Sequence, residues 1–268
     1  MASPPLRGEK KNPLTHFVRT VRGTVIANIG DLRPYHVSGN RIRREARFHP
    51  ERETVMLVQG FVQTRSVLTG MERRLRRDGF EVFSVNLGGF LNIYNTRPVE
   101  EVARHIAGKV RRLRARHNLG RIHMVCHSKG GLVGRWFVQA LGGDEHVKTL
   151  ITLGTPHQGT PTAVLAALPP VGLVAGSGHQ MLPHSPFIRR LAALPLPAHT
   201  RLVSIFSRTD LVCPYWCSFV PSRPGVRVRN LMVHGPGHTS LLTSLRVFRL
   251  IRREIRGRIS MVDHLPAG

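Results

Sequence analysis

Gly120-Arg-Ile-His-Met-Val-Cys-His-Ser-Lys-Gly-Gly131 is the stretch that decides the fold. Ile122 to Val125 reads as a buried strand, a tight turn carrying Ser128 follows, and Gly130-Gly131-Leu-Val-Gly-Arg-Trp-Phe-Val opens a helix. In the pattern G-x-S-x-G between a strand and a helix, the serine stands on a bend sharp enough to lift its hydroxyl clear of the backbone. Small residues two positions either side are required, because strand and helix nearly touch there. The first of those positions is Cys126, so the match is one residue short. A Ser-Lys-Gly-Gly turn in any α/β protein would read the same way, and the rest of the chain has to separate the two.

Working outward, the 268 residues are 41% hydrophobic, which suits one α/β domain with a substantial core. The formal charge of +25 is carried almost entirely by arginine and would attract polyanions, either nucleic acid or an acidic membrane surface. Aromatic residues make up only 6% and are not interleaved with the basic runs as in single-strand binders. No zinc-finger spacing, basic zipper or helix-turn-helix is found, so nucleic acid is not the expected partner. Cys126, Cys213 and Cys217 are too few for a disulfide framework. Cys126 is expected beneath the bend; Cys213 and Cys217 either pair or stay free. No metal or cofactor site is expected. Met1 to Lys11 lacks the apolar segment of a secretory signal, and no run reaches the roughly 18 apolar residues of a spanning helix. The expectation is a cytoplasmic protein with peripheral contact to an anionic membrane left open.

The chain divides into a basic extension over 1–50, a main domain over 51–258 and a tail over 259–268. In the extension, Leu14, Phe17, Val18, Val21, Val25 and Ile29 recur at helical spacing, with Arg19 and Arg22 off that stripe. Such a helix either packs on the main domain or lies in a lipid interface. Thr54 to Val58 is the first buried strand and runs into Gln59-Gly60-Phe61. A helix over Val67–Asp78, a strand over Phe80–Asn86 and a helix from Pro98 to His117 lead to the Ser128 stretch. Beyond it come a helix to Leu141 and a strand over Val147–Thr152. Residues 160–199 are rich in Ala, Pro, Gly and Leu, and an insertion of that length predicts a cover over a site. Strands at Arg201–Phe206 and Val226–Val233 and a helix over Ser240–Ile255 complete the pattern. Strands separated mostly by helices mean a largely parallel sheet covered on both faces.

Sites in open parallel sheets lie beyond the carboxyl ends of the strands. Gln59-Gly60-Phe61, Ser128, Asp210 and His238 all fall there. Acyl transfer through a serine needs a histidine to take its proton and a carboxylate to hold the imidazole. It also needs backbone N–H groups aimed at the developing oxyanion. The candidate roles are Ser128 as nucleophile, His238 as general base and then acid, and Asp210 as the orienting carboxylate. The N–H groups of Phe61 and Lys129 are the candidate oxyanion donors. Asp144 and Asp263 are the competing acids, the former expected at the amino end of a strand. His234 and His157 compete with His238, and His127 is expected to pack beneath the serine. A serine–lysine pair is disfavoured because the position after the serine sends its side chain away.

Several blocks resemble the α/β-hydrolase superfamily, in particular bacterial triacylglycerol lipases and esterases of the lipase class 2 group, over about residues 52–256. Gln59-Gly60-Phe61 is similar to the family's His-Gly-Phe oxyanion loop, and Cys126-His-Ser-Lys-Gly-Gly131 resembles Gly-His-Ser-Met-Gly-Gly. Leu153-Gly-Thr-Pro-His-Gln-Gly159 is similar to the block after the next strand. Ser207-Arg-Thr-Asp210 resembles the acid loop, and Gly237-His238 with Leu241-Leu242 the histidine loop. The resemblance implies an α/β-hydrolase fold with a lid over 160–199 and a carboxylic-ester hydrolase acting on lipid or acyl esters. Val164, Leu165, Leu168, Val171, Leu173, Val174, Met181, Leu182, Phe187 and Ile188 would then line an acyl groove. The departures are Gln59, Cys126 and Lys129. Acyl transfer to an alcohol or thiol by the same triad, and a non-catalytic scaffold binding anionic membrane or nucleic acid, are the competing readings.

Overall fold

The structure, a computed structural model, describes residues 48–89, 95–167, 177–222 and 224–257. The proposed amphipathic helix over Pro13–Ile29 and the tail therefore lie outside the described residues. Alternation along the strands sets the architecture. In β1 (Thr54–Val58), Val55 and Leu57 pack into one layer, and Met56 and Val58 into the other. β2 (Glu81–Ser84), β3 (Ile122–His127), β4 (Val147–Leu153), β5 (Arg201–Ser207) and β6 (Val228–Val233) join it in one sheet of order β2-β1-β3-β4-β5-β6. Every neighbouring pair is parallel. Parallel strands need crossovers, and helices supply them on both faces.

One layer is made by α1 (Thr69–Arg77) and the C-terminal α7 (Leu245–Arg256), through Met71, Leu75, Val247 and Ile251 against Val125, Ile151 and Val203. The other is made by α2 (Val99–His117) and α3 (Lys129–Ala140), through Val102, Ile106, Val133 and Phe137 against Met56, Met124 and Leu150. Each such fully buried side chain contributes about 1.5–3 kcal/mol. Glu100 and Glu101 in the first turn of α2 face the positive end of its dipole, and Asn118 ends it in the left-handed conformation at φ 49°.

The helix expected over Ser240–Ile255 is interrupted. A tight 3-10 turn spans Thr239–Leu242, and Ser244 Oγ accepts the Val247 N–H at 3.3 Å, so a new helix starts there. The segment 160–199 contains α4 (Ala163–Ala167), a turn over His179–Met181 and α5 (Pro186–Ala193); its centre lies outside the described residues. Ser185 caps α5 by accepting the Ile188 N–H at 3.2 Å. Met181, Phe187 and Ile188, expected to line an acyl groove, are buried in the α2–α3 core, with Leu182 packed against it, and Ile188 also borders a cavity. Helical spacing over Pro186–Ala193 gives α5 an apolar face, and Phe187, Ile188 and Leu191 pack it on that core. α6 (Tyr215–Ser218) is a single turn after the acid loop. All three cysteines are free and buried, and no described helix is long and apolar enough to cross a membrane.

Candidate active site

Strand order reverses direction at β1: the chain moves to β2 on one side, then returns to place β3 on the other. A crevice opens at the carboxyl ends of strands at such a switch point. Gln59–Phe61 leaves β1 there, and Ser128 leaves β3.

Ser128 has φ 53° and ψ −128°, a conformation that costs a non-glycine residue about 1–3 kcal/mol. Three contacts hold it. Its N–H donates to Leu153 O at 2.9 Å, and its carbonyl accepts from Thr155 Oγ1 and from the Gly131 N–H, each at 2.9 Å. Close approach explains the glycines that follow. A Cβ on Gly130 would stand 2.7 Å from Gln59 O and 2.8 Å from Val58 O. On Gly131 it would overlap Thr155 Oγ1 at 2.0 Å. Cys126, where a glycine was expected, does not spoil the bend. Its side chain is fully buried and faces Gly134 across the helix, where a Cβ would lie 3.1 Å from Sγ. The room for the extra side chain comes from a glycine one turn further along α3. Burial pushes the Cys126 thiol well up, so it stays protonated.

Asp210 and His238 meet beside this bend. His238 Nδ1 lies 2.7 Å from Asp210 Oδ2, both side chains being buried. The other carboxylate oxygen, Oδ1, accepts the Val212 and Cys213 N–H groups at 2.9 and 2.7 Å, which fixes the carboxylate plane. Thr209 Oγ1 donates to Pro236 O at 3.0 Å and ties the acid loop to the histidine loop. Gly154, in the residue after β4, makes the meeting possible. At φ 53°, it lies where a Cβ would come within 3.0 Å of Asp210 Oδ2 and 3.2 Å of His238 Nδ1. The preceding residue, Leu153, holds the Ser128 N–H, so the bend and the Asp210–His238 pair flank the same strand end. The Ser128 hydroxyl itself makes no hydrogen bond among the described residues.

The competing groups have other duties. Asp144 accepts the N–H groups of Ala198, His199 and Thr200 at the amino end of β5. His234 is exposed. His127 lies beneath the site, its ring nitrogens 2.9 Å from Gln63 Oε1 and 3.0 Å from His238 O. Burial, and then the neighbouring His238, push its pKa down to about 3, so the ring is neutral and donates from one nitrogen. His157 donates to Thr152 Oγ1 through Nε2 at 2.9 Å while Nδ1 faces Arg135. Burial, with Arg135 beside it, holds it well below the usual histidine range.

The loop after β1 is held by residues that sequence reading did not single out. Gln63 Oε1 accepts the Gly60 N–H at 2.8 Å. Asn95, fully buried, donates from Nδ2 to Gln59 O at 2.9 Å and from its N–H to Gln63 O at 3.3 Å, and its carbonyl accepts the Val62 N–H at 3.3 Å. Lys129 completes the clamp. Its ammonium donates to Asn95 Oδ1 at 2.9 Å, Asn95 O at 3.2 Å and Arg97 O at 2.5 Å, and lies 5.7 Å from the Phe61 ring centroid. Burial pushes its pKa well down, but three oxygen acceptors suit the three donors of an ammonium. The side chain thus points away from Ser128, as expected, and toward the opposite loop. The Phe61 N–H meets no acceptor among the described residues. Lys129 is the first residue of α3, where backbone N–H groups lack helical partners. Neither polar atom of the buried Gln59 side chain has a partner there either. Nothing in the spacing of Gln63 or Asn95 marks them: their roles arise from loops meeting across the switch point.

Solved structures with a similar fold include the mature lipase of Bacillus licheniformis, with a TM-score of 0.63 and 14% identity over 79% of this chain and 96% of that one. The lipase B of Aspergillus fumigatus gives a TM-score of 0.65 at 14% identity, over 82% and 58% of the two chains. A thermophilic esterase of Thermogutta terrifontis gives 0.52 at 18% identity, over 76% and 90%. The fold is that of the α/β hydrolases. Within it, a family model described as palmitoyl protein thioesterase matches residues 54–185, just under half of the chain. No curated protein matches the chain by sequence. At these identities the shared feature is the α/β-hydrolase framework, and the chemistry has to be argued from the site.

Proposed function

We propose that the protein is a serine hydrolase that cleaves carboxylic esters, with Ser128 as nucleophile, His238 as general base and acid, and Asp210 as the orienting carboxylate. The observation that carries this reading is the buried Asp210–His238 pair at the strand end that also holds the strained Ser128. Ser128 Oγ attacks the acyl carbon while its proton passes to His238 Nε2, and Asp210 stabilises the imidazolium that forms. The tetrahedral oxyanion is received by the N–H groups of Phe61 and Lys129. Collapse expels the alcohol with the proton from His238, and water repeats the sequence to release the acid.

An acyl substrate is supported by exposed apolar residues around the acid loop. Val164 and Leu165 of α4 stand near Leu211, Val212, Tyr215 and Trp216, since Thr160 and Thr162 both donate to Val212 O. The kinship to class 2 lipases belongs to this proposal and rests on the sequence blocks. A sulfur ester is the second reading, supported by the thioesterase family match. The test is a fluorophosphonate probe with a panel of oxygen and sulfur acyl esters of increasing chain length. Ser128 should be labelled, and turnover should vanish in Ser128→Ala. Unlabelled Ser128 and no Ser128-dependent turnover on any member would overturn the proposal.

A further inference from the structure

Arg135 is a buried cation that the proposed chemistry does not use. It lies seven residues after Ser128 on α3, about 10 Å along the helix axis, and its side chain is 5% exposed. Its Nε donates to Gln139 Oε1 at 2.8 Å and its Nη1 lies 3.4 Å from His157 Nδ1. Among the described residues Nη2 has no partner, and no carboxylate pairs with the guanidinium. Burial pushes its pKa down only to about 10, so it remains charged at neutral pH. A buried charge without a counter-ion is costly, and an anion bound against it would offset that cost.

The surroundings supply room for such a ligand. Arg135 and His157 line a cavity of about 330 Å³ whose walls include Ile188, Leu194, Phe219 and Val220. No acidic side chain lines it; Arg189 of α5 adds a second positive charge. None of its lining residues belongs to the Ser128, Asp210 and His238 cluster. Its volume is at the small end of the range for ligand sites, about 300–1,000 Å³, which suits one chain better than a two-tailed lipid. One buried guanidinium balances one negative charge, and the unpartnered Nη2 can donate a charge-assisted hydrogen bond to a carboxylate oxygen.

We propose that this cavity is a second site, which binds a single-chain aliphatic carboxylate with its head on Arg135 and its chain along Ile188, Leu194 and Phe219. The inference needs no turnover and stands apart from the esterase reading. A fatty carboxylate and the anionic headgroup of a single-chain phospholipid share the same chemistry, and the test separates them.

The experiment is calorimetric titration of the full-length Ser128→Ala protein with decanoate, decanol and decyl phosphate, each kept monomeric. Decanoate should bind at one site, at least about tenfold more tightly than decanol. Arg135→Gln and Ala192→Trp should each weaken it by about tenfold or more. Ala192 is an exposed lining residue, so its replacement blocks the cavity without touching the buried charge and serves if Arg135→Gln fails to fold. Absence of decanoate binding up to about 1 mM overturns the proposal. So does a smaller effect of the folded variants, or decanol binding that comes within that factor. Tighter binding of decyl phosphate than of decanoate overturns the choice of carboxylate.

Discussion

Asp210→Asn tests the proposed mechanism most sharply, because the structure dictates how the new amide must sit. Asp210 Oδ1 accepts two backbone N–H groups, from Val212 and Cys213, while Oδ2 faces His238 Nδ1. An asparagine keeps its carbonyl on the two N–H groups and turns its NH2 toward His238. The imidazole then presents a lone pair at Nδ1 and carries its proton at Nε2, where it cannot accept one from Ser128. The productive orientation requires the opposite flip, with NH2 against two backbone donors. Leaving two buried donors unsatisfied costs about 1–3 kcal/mol each, or about 2–6 kcal/mol together. At about 1.4 kcal/mol per decade, the competent fraction falls to between roughly 1 in 30 and 1 in 20,000. Ester turnover should fall by that factor with KM little changed, and fluorophosphonate labelling should slow in parallel. Because the backbone contacts of Oδ1 persist, the melting temperature should stay close to that of the parent. A folded variant retaining more than about a tenth of the parent kcat would refute the assigned role of Asp210.

Three further outcomes follow from the same geometry. His127 and His157 are buried and held neutral, whereas their unfolded counterparts take up a proton near pH 6.5, so stability is full above that value and is lost as pH falls below it. Between pH 7 and 5 His127 should cost about 2 kcal/mol, and His157 should add a loss of the same sign. Urea unfolding at the two pH values should show the loss, and His157→Gln should recover its share; an unchanged pH dependence in that variant would contradict the account. Gly130→Ala places a Cβ 2.7 Å from Gln59 O, a backbone atom that cannot rotate away. It should destabilise by about 1–3 kcal/mol and slow labelling of Ser128, and wild-type behaviour in both assays would count against the close approach. Lys129→Met strips donors from Asn95 and Arg97 and loosens the loop that carries Phe61. We expect kcat to fall by about 10- to 100-fold with KM little changed, with a matching change in KM and unchanged kcat as the refuting result.

Much of this protein is legible in its sequence because local rules and global packing agree. The short apolar runs at Thr54–Val58, Ile122–Val125 and Val147–Thr152, alternating with helical stripes, read as buried strands of a largely parallel sheet. That sheet puts whatever follows its strands at one end, so the sequence points Ser128, Asp210 and His238 to the same end, and the structure pairs Asp210 with His238 there. Other features depend on loops that are distant in sequence. Asn95 and Lys129 clamp the Phe61 loop only because β1 and β3 are adjacent, and no spacing rule links positions 63, 95 and 129. The fate of Met181 and Phe187 was equally open, since helical apolar spacing fits either a groove or a core, and packing chose the core. Arg135 looked like one arginine among many, and only folding buried it beside an apolar cavity. The bend at Ser128 joins both kinds of knowledge. Sequence located it and marked Cys126 as its irregularity, while the tertiary structure accommodated that side chain against Gly134, because helix and strand share one space there.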